Sequence, residues 1–264
     1  MMKGGPVTGN RLAFGRRVVE GCMKPSARFG WLLAFLLLTL FAISSYGQTT
    51  VTVPKGFVET VPPKAATKEW FALNSSQNEF AVSIVDGKLD VKKAGRERKS
   101  ELKIAGGTLV GINKGEWGGQ LTFHPEDTTK KAVDIKEGNI KFLFKFKDEI
   151  YFIEGLAHMG TNSGALYRLD TSNDNFTFTK LIDFDSAPQA FTIYNDKFFI
   201  ATHGGFYIVQ DFKEELVFKD MFWRALYPNS IAAFDEENVF LGMRGGIMKL
   251  DLVNKTVKFY KNGK

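Results

Sequence analysis

The sequence predicts an all-β chain, a small β-propeller of about five, or four, four-stranded blades. Two observations lead there. The first is a set of glycine-anchored repeats: Phe199-Ile200-Ala201-Thr202-His203-Gly204-Gly205-Phe206-Tyr207-Ile208 and Phe240-Leu241-Gly242-Met243-Arg244-Gly245-Gly246-Ile247-Met248-Lys249-Leu250. A third, with a longer loop, runs from Tyr151-Phe152-Ile153-Glu154-Gly155 to Gly164-Ala165-Leu166-Tyr167-Arg168-Leu169. Each is an apolar strand, a glycine turn and a second strand, and a period of roughly 35–45 residues is that of a propeller blade. The second observation is the density of Phe, Ile, Val and Tyr in short runs separated by turn residues such as Asp86-Gly87, Asn195-Asp196 and Glu237-Asn238, with no sustained helical period.

In chain order, residues 1–47 read as an N-terminal extension plus a secretory signal peptide. Lys24 and Arg28 form a basic region before the apolar core Trp31 to Ile43, and the small residues Ser45 and Gly47 place cleavage before Gln48. That core is too short for a stable membrane span, which needs about 20 apolar residues. Met23-Lys24 is the more natural start of such a signal, because Met1 to Cys22 is rich in Gly and Arg with no apolar period. A secreted or periplasmic location follows as the expectation.

Taking this segment away changes the chemistry the composition suggests. The whole chain has 35 Lys and Arg against 29 Asp and Glu, net +6. Six of the basic residues and one acidic residue lie in 1–47, which leaves 29 against 28. Nucleic acid is therefore not an expected partner, since no basic excess remains to meet phosphates. Cys22, the single cysteine, leaves with the same segment, so the remainder has neither disulfides nor thiol chemistry.

Residues 48–68, with Pro54, Pro62 and Pro63, read as a linker or a closing strand, and 69–264 as the propeller domain. The clearest blade takes Ile231 to Phe234, Val239 to Gly242, Ile247 to Leu252 and Thr256 to Tyr260. Its predecessor takes Ala190 to Tyr194, Phe198 to Thr202, Phe206 to Gln210 and Leu216 to Lys219. A third takes Ile140 to Phe146, Ile150 to Glu154, Ala165 to Asp170 and Phe176 to Ile182. A fourth starts near Leu102 and uses Thr108 to Ile112, Gln120 to Phe123 and Ala132 to Ile135, and Trp70 to Val91 supplies a fifth, shorter blade. Radial packing of this kind hides strand edges that would otherwise aggregate. A β-sandwich or an open repeat sheet is the competing architecture.

The stretch Tyr227-Pro228-Asn229-Ser230-Ile231 through Gly242-Met243-Arg244-Gly245-Gly246-Ile247 resembles the repeat of bacterial regulator-type and quinoprotein-like β-propellers, most clearly over residues 188–260. The resemblance implies a fold and not an activity, because such repeats occur in sensors, enzymes and adaptors alike.

In a four-stranded blade the turn between the second and third strands lies on the face that holds the channel mouth. That geometry gathers Asn113 to Trp117, His158, His203 and Arg244, and inter-blade connections add Gln189 and the run Phe222 to Tyr227 with Trp223, Arg224 and Tyr227. Aromatic faces with a few directed polar groups suit sugar rings or a peptide, and arginine suits an anion. Recognition of a glycan, peptide or protein is the first expectation, without catalytic residues, cofactor or metal. The three histidines have no metal-ligand spacing. A secreted glycan-active hydrolase or lyase is the alternative, with Glu116 and Glu154 as its carboxylates and Asp183 or Asp185 at the rim. A structural or assembly module is the third reading. No G-x-S-x-G elbow, P-loop or G-x-G-x-x-G is present.

Overall fold

The computed structural model describes residues 50–95, 98–172 and 175–263, so the signal-peptide expectation for 1–47 lies outside the described residues. The first strand, β1 (Phe57–Thr60), is followed by a short helix, α1 (Lys68–Asn74). A hairpin of β2 (Phe80–Val85) and β3 (Lys88–Lys93) comes next. Three four-stranded antiparallel sheets follow in sequence order. The first holds β4 (Lys99–Ile104), β5 (Gly107–Asn113), β6 (Gly119–Pro125) and β7 (Val133–Glu137). The second holds β8 (Ile140–Phe146), β9 (Glu149–His158), β10 (Thr161–Asp170) and β11 (Thr177–Phe184). The third holds β12 (Pro188–Tyr194), β13 (Lys197–Thr202), β14 (Phe206–Gln210) and β15 (Lys213–Phe218). The last sheet joins β16 (Ser230–Asp235), β17 (Asn238–Met243), β18 (Gly246–Asp251) and β19 (Thr256–Asn262), and β1 pairs antiparallel with β19 as its fifth strand. The protein is all-β, built of four-stranded antiparallel sheets in an arrangement consistent with a propeller.

Two sequence expectations change. Trp70 to Asn74 is helical, and the short unit consists of β2 and β3 alone. The helix is only 7 residues long, too short for an apolar period to be visible. Local chemistry starts it: Thr67 is the N-cap, its hydroxyl accepts from the Trp70 backbone N–H at 3.3 Å, and Glu69 occupies the first turn. Packing then holds it, through buried Trp70 and Leu73 and a 2.7 Å bond from the Trp70 indole N–H to the Phe222 carbonyl.

The strands differ in burial by their place in the sheet. All of β17 and nearly all of β13 are buried, and both read as continuous apolar runs because each has a sheet against either face. Outer strands such as β15 are largely exposed and carry Lys213, Glu214 and Glu215. Successive sheets meet through separate apolar clusters. Leu109, Leu121, Phe152 and Tyr167 join the β4–β7 and β8–β11 sheets, and Phe144, Tyr151, Phe198 and Ile200 join β8–β11 to β12–β15. Phe199, Phe206, Leu241 and Met248 continue to β16–β19, and Phe240 and Ile247 meet Phe80 and Val82 of β2.

The repeated glycine pairs acquire a steric reason here. A Cβ on Gly205 would stand 2.8 Å from the Phe218 carbonyl oxygen, and one on Gly246 would stand 2.3 Å from that of Tyr260. In both repeats the second glycine opens the third strand so that the fourth can close against its backbone.

Candidate functional site

The first strand of every sheet contributes to one cavity of about 620 Å³. Ala81 comes from β2, Lys99 to Glu101 from β4, Ile140 to Phe142 from β8, Gln189 from β12 and Ser230 from β16. Asn113 to Gly115, Gly155 to Ala157 and Tyr227 to Asn229 complete its wall at the ends and turns of neighbouring segments.

Two serines in matching places tie adjoining sheets around this cavity. Ser100 Oγ on β4 accepts from the Leu143 backbone N–H on β8 at 3.0 Å. Ser230 Oγ on β16 accepts from Val82 N–H on β2 at 2.8 Å and donates to Asn229 Oδ1 at 2.8 Å. The β2–β3 hairpin thus stands to β16 as β8 stands to β4. The Asn-Ser dipeptide visible in the sequence is the inner-edge fastening of its sheet.

Bulges shape the wall. Pairing of β8 with β9 skips between Ile140 and Phe142, and pairing of β12 with β13 skips between Pro188 and Ala190. The residues passed over, Lys141 and Gln189, both line the cavity and are bonded to each other, Lys141 Nζ donating to Gln189 Oε1 at 3.1 Å. A bulge re-aims a side chain in this way, and bulges are common beside functional sites.

The expected site residues separate into three groups. Trp117 and His158 lie outside the cavity wall, close in sequence to its lining residues Gly115 and Ala157. Trp117 ends a 3-10 turn (Gly115–Trp117) and is 79% exposed. His158 Nε2 lies 2.8 Å from Glu116 Oε2, which fastens that turn to the end of β9. Tyr227 lies in the cavity wall with φ of 53°, a left-handed conformation uncommon for a bulky residue. Its ring lies 4.7 Å from the Arg244 guanidinium.

Next to this wall, His203 is half-buried and Arg224 reaches Asp220 at 3.4 Å. Burial holds the His203 imidazole below its usual pKa, and the positive charges of Arg224 and Lys141 push the same way.

Trp223 and Arg244 correct the expected ring. Trp223 is completely buried among Phe199, Leu226 and Met243, and its indole N–H donates to the Thr202 carbonyl at 3.1 Å. It is a core residue, enclosed by α1 and the connection ahead of β16, and no ligand can touch it. Arg244 donates to Glu79 Oε1 at 2.8 and 3.1 Å and to the Asn74 carbonyl at 2.5 Å. Its guanidinium fastens chain to chain and is not presented to an anion.

The carboxylates of the hydrolase expectation are also engaged. Glu154 accepts from Lys136 Nζ and from the Tyr167 hydroxyl, each at 2.6 Å, and burial followed by the Glu154 carboxylate pushes the Tyr167 phenol upward. Glu154 lines a second, more open recess with Asp183 and Asp185. Glu116 pairs with His158 on the other loop. Among the described residues, no three or more His, Cys, Asp or Glu side chains gather as a metal ion would require. No helix among them is long and apolar enough to cross a membrane.

Part of the charged wall is what sequence reasoning missed. Lys114 falls in the Asn113 to Trp117 turn that the sequence places at the mouth, but Arg98-Lys99 and Lys141 lie far from it in the chain and resemble ordinary solvated residues. The register skip at Lys141 exists only in the paired sheet.

Comparison with protein-family models and with curated proteins finds no match. Among solved structures the chain is similar to the computationally designed Ika4 protein, with 10% identity and a TM-score of 0.37, over 64% of this chain and 94% of that one. It is also similar to the β-propeller domain of Cps50 (Swd1) from Myceliophteria thermophila, with 12% identity and a TM-score of 0.34, over 70% of this chain and 64% of that one.

Proposed function

We propose that this is an exported, non-catalytic β-propeller of five units, the fifth being the β2–β3 hairpin, which binds a glycan, peptide or protein partner at the mouth of its channel. The observation that carries the reading is the shared cavity: strands from all five sheets supply one polar wall, and the largely exposed Trp117 follows two residues after its lining residue Gly115. Ring closure is supported by the same wall, because Ala81 of β2 and Lys99 to Glu101 of β4 face one space. Ligand sites of this kind are concave, with a few directed polar groups and an aromatic surface. The glycan-active hydrolase receives less support, since both candidate carboxylates are held by partners within the fold.

The test is a glycan and peptide binding screen on the full chain, followed by tryptophan fluorescence. A saturable change that Trp117→Ala abolishes, with the melting temperature unchanged, is the expected result. Turnover of a glycan that Glu154→Gln stops would instead establish the enzyme.

A further inference from the structure

The geometry points to an acidic glycan, a chain bearing uronate carboxylates, as the occupant of the shared cavity, held by Lys99, Lys114 and Lys141 beside the exposed face of Trp117. This inference rests on the binding reading above and specifies its ligand.

Charge is the first argument. Among the described residues the cavity wall carries four cations, Arg98, Lys99, Lys114 and Lys141, and one carboxylate, Glu101. Glu101 is an ion-pair partner of Lys99, and among the described lining residues of this concave space cationic side chains outnumber carboxylates. Low-dielectric walls concentrate such a field and draw in a counter-charge. The imbalance is local, because outside residues 1–47 the chain is almost neutral.

Hydroxyl recognition is the second argument. Asn113 and Gln189 bring amides to the same wall and Tyr227 lies beside them, whereas Ser230 and Asn229 are bonded to each other, and Ser230 also to Val82 N–H. Amides both donate and accept, as sugar hydroxyls require. Gln189 already bonds Lys141, so an amide and an ammonium are held side by side where a carboxylate and its neighbouring hydroxyl would sit.

An acidic peptide would satisfy the lysines but would leave the amides and the aromatic face with less to do. The β8 and β12 bulges that turn Lys141 and Gln189 into the wall bring charge and amide together. The exposed Trp117 offers the apolar platform on which a sugar ring stacks.

The experiment titrates the full chain with tetrasaccharides of galacturonate, mannuronate and glucuronate, each beside its carboxyl-reduced neutral counterpart, and with a polyglutamate peptide. At least one acidic tetrasaccharide is expected to bind with an affinity that falls as salt rises. Its reduced counterpart is expected to bind at least roughly tenfold more weakly, the loss typical of a hydrogen bond to a charged group. Lys99→Gln and Lys114→Gln each lower that affinity by a similar factor, Lys114→Arg retains it, and Lys103→Gln, at the far end of β4, leaves it unchanged.

Equal binding of the acidic and reduced sugars overturns the acidic assignment while the glycan-binding reading stands. Polyglutamate binding as tightly as the best uronate overturns the sugar assignment and makes the occupant an acidic peptide. If no sugar, acidic or reduced, and no peptide binds the folded chain, this inference and the cavity-binding reading both fail.

Discussion

Arg244 Nε and Nη2 both donate to Oε1 of Glu79, at 3.1 and 2.8 Å, from a position 165 residues further along the chain. The two side chains are 13% and 12% exposed, and a backbone bridge joins the same residues. A turn of the last sheet is thereby fastened to the strand entry that follows α1. Gly245 N–H adds a bond to the Asn78 carbonyl at 2.8 Å, and Leu73 fills the space beside Gly245.

Removal of one partner leaves the other charge largely buried without its ion pair. Glu79→Ala and Arg244→Ala are therefore expected to cost about 3 kcal/mol each in chemical denaturation. Replacing the pair together, Glu79→Leu with Arg244→Met, recovers much of that loss. An Arg244→Ala protein of unchanged stability would refute the clasp.

Trp223 and Trp117 should respond in opposite ways. Trp223→Ala empties a fully buried site and costs about 4 kcal/mol, whereas Trp223→Phe mainly strands the Thr202 carbonyl, at about 1–2 kcal/mol. Trp117→Ala, on the surface, stays within about 0.5 kcal/mol of the parent. Urea unfolding separates the three, and loss of a solvent-quenchable fluorescence component in Trp117→Ala alone confirms which indole is exposed.

His203 gives the fold an acid-side dependence. Its folded pKa is lowered from 6.5, so between the two values the unfolded chain binds the proton more readily. Stability then falls as pH drops below 6.5 and levels off once pH is under the folded value. His203→Gln is expected to flatten this part of the stability profile. A parent and variant with parallel profiles from neutral to acid pH would contradict it.

Tyr151 sets a limit at the alkaline end. Burial, and then the hydrogen bond to Glu149 at 2.6 Å, push its phenol from 10 up to about 12. The unfolded phenol loses its proton first, so stability is lost as pH rises from 10 towards 12. Tyr151→Phe should show a shallower decline over that interval, read from denaturation midpoints.

In the Gly204-Gly205 pair only the second glycine is sterically demanding. In Gly245-Gly246 both are, since Gly245 has φ of 80° and a Cβ there would stand 2.7 Å from Leu73. Gly246→Ala would bring its Cβ to 2.3 Å from the Tyr260 carbonyl oxygen and 2.9 Å from the Phe259 ring, whereas the nearest atom to a Cβ on Gly204 is Arg224 Nε at 3.5 Å. Gly246→Ala should cost about 2 kcal/mol, and Gly204→Ala should be close to neutral in the same thermal or chemical unfolding.

Period and turn chemistry were enough to lay out the strands. Apolar runs such as Phe198 to Ala201, the Asn195-Asp196 turn with both residues at positive φ, and the Gly-Gly pairs are local signals that survive in any environment. The four units of four strands that the sequence predicts coincide with the sheets β4–β7, β8–β11, β12–β15 and β16–β19 for that reason. The helix at Lys68–Asn74 escaped because a single capped turn or two depends on tertiary contacts, here Trp70 against Phe222.

The site was legible only as a face. Of the turns between second and third strands, Asn113 to Gly115 and the segment at Gly155 to Ala157 line the cavity, but sequence could not say which side chains point outward. Trp223 and Arg244 turned inward because an indole and a guanidinium gain most where a carbonyl, a carboxylate and an aromatic ring are already fixed. Lys141 and Gln189 turned into the cavity because their strands skip a residue, a property of pairing between strands and not of either strand alone. The chain by itself determined its strands, its turns and its near-neutral charge outside 1–47. Tertiary structure decided which residues became core, which became clasp and which line the cavity, because those roles depend on neighbours brought together from distant parts of the sequence.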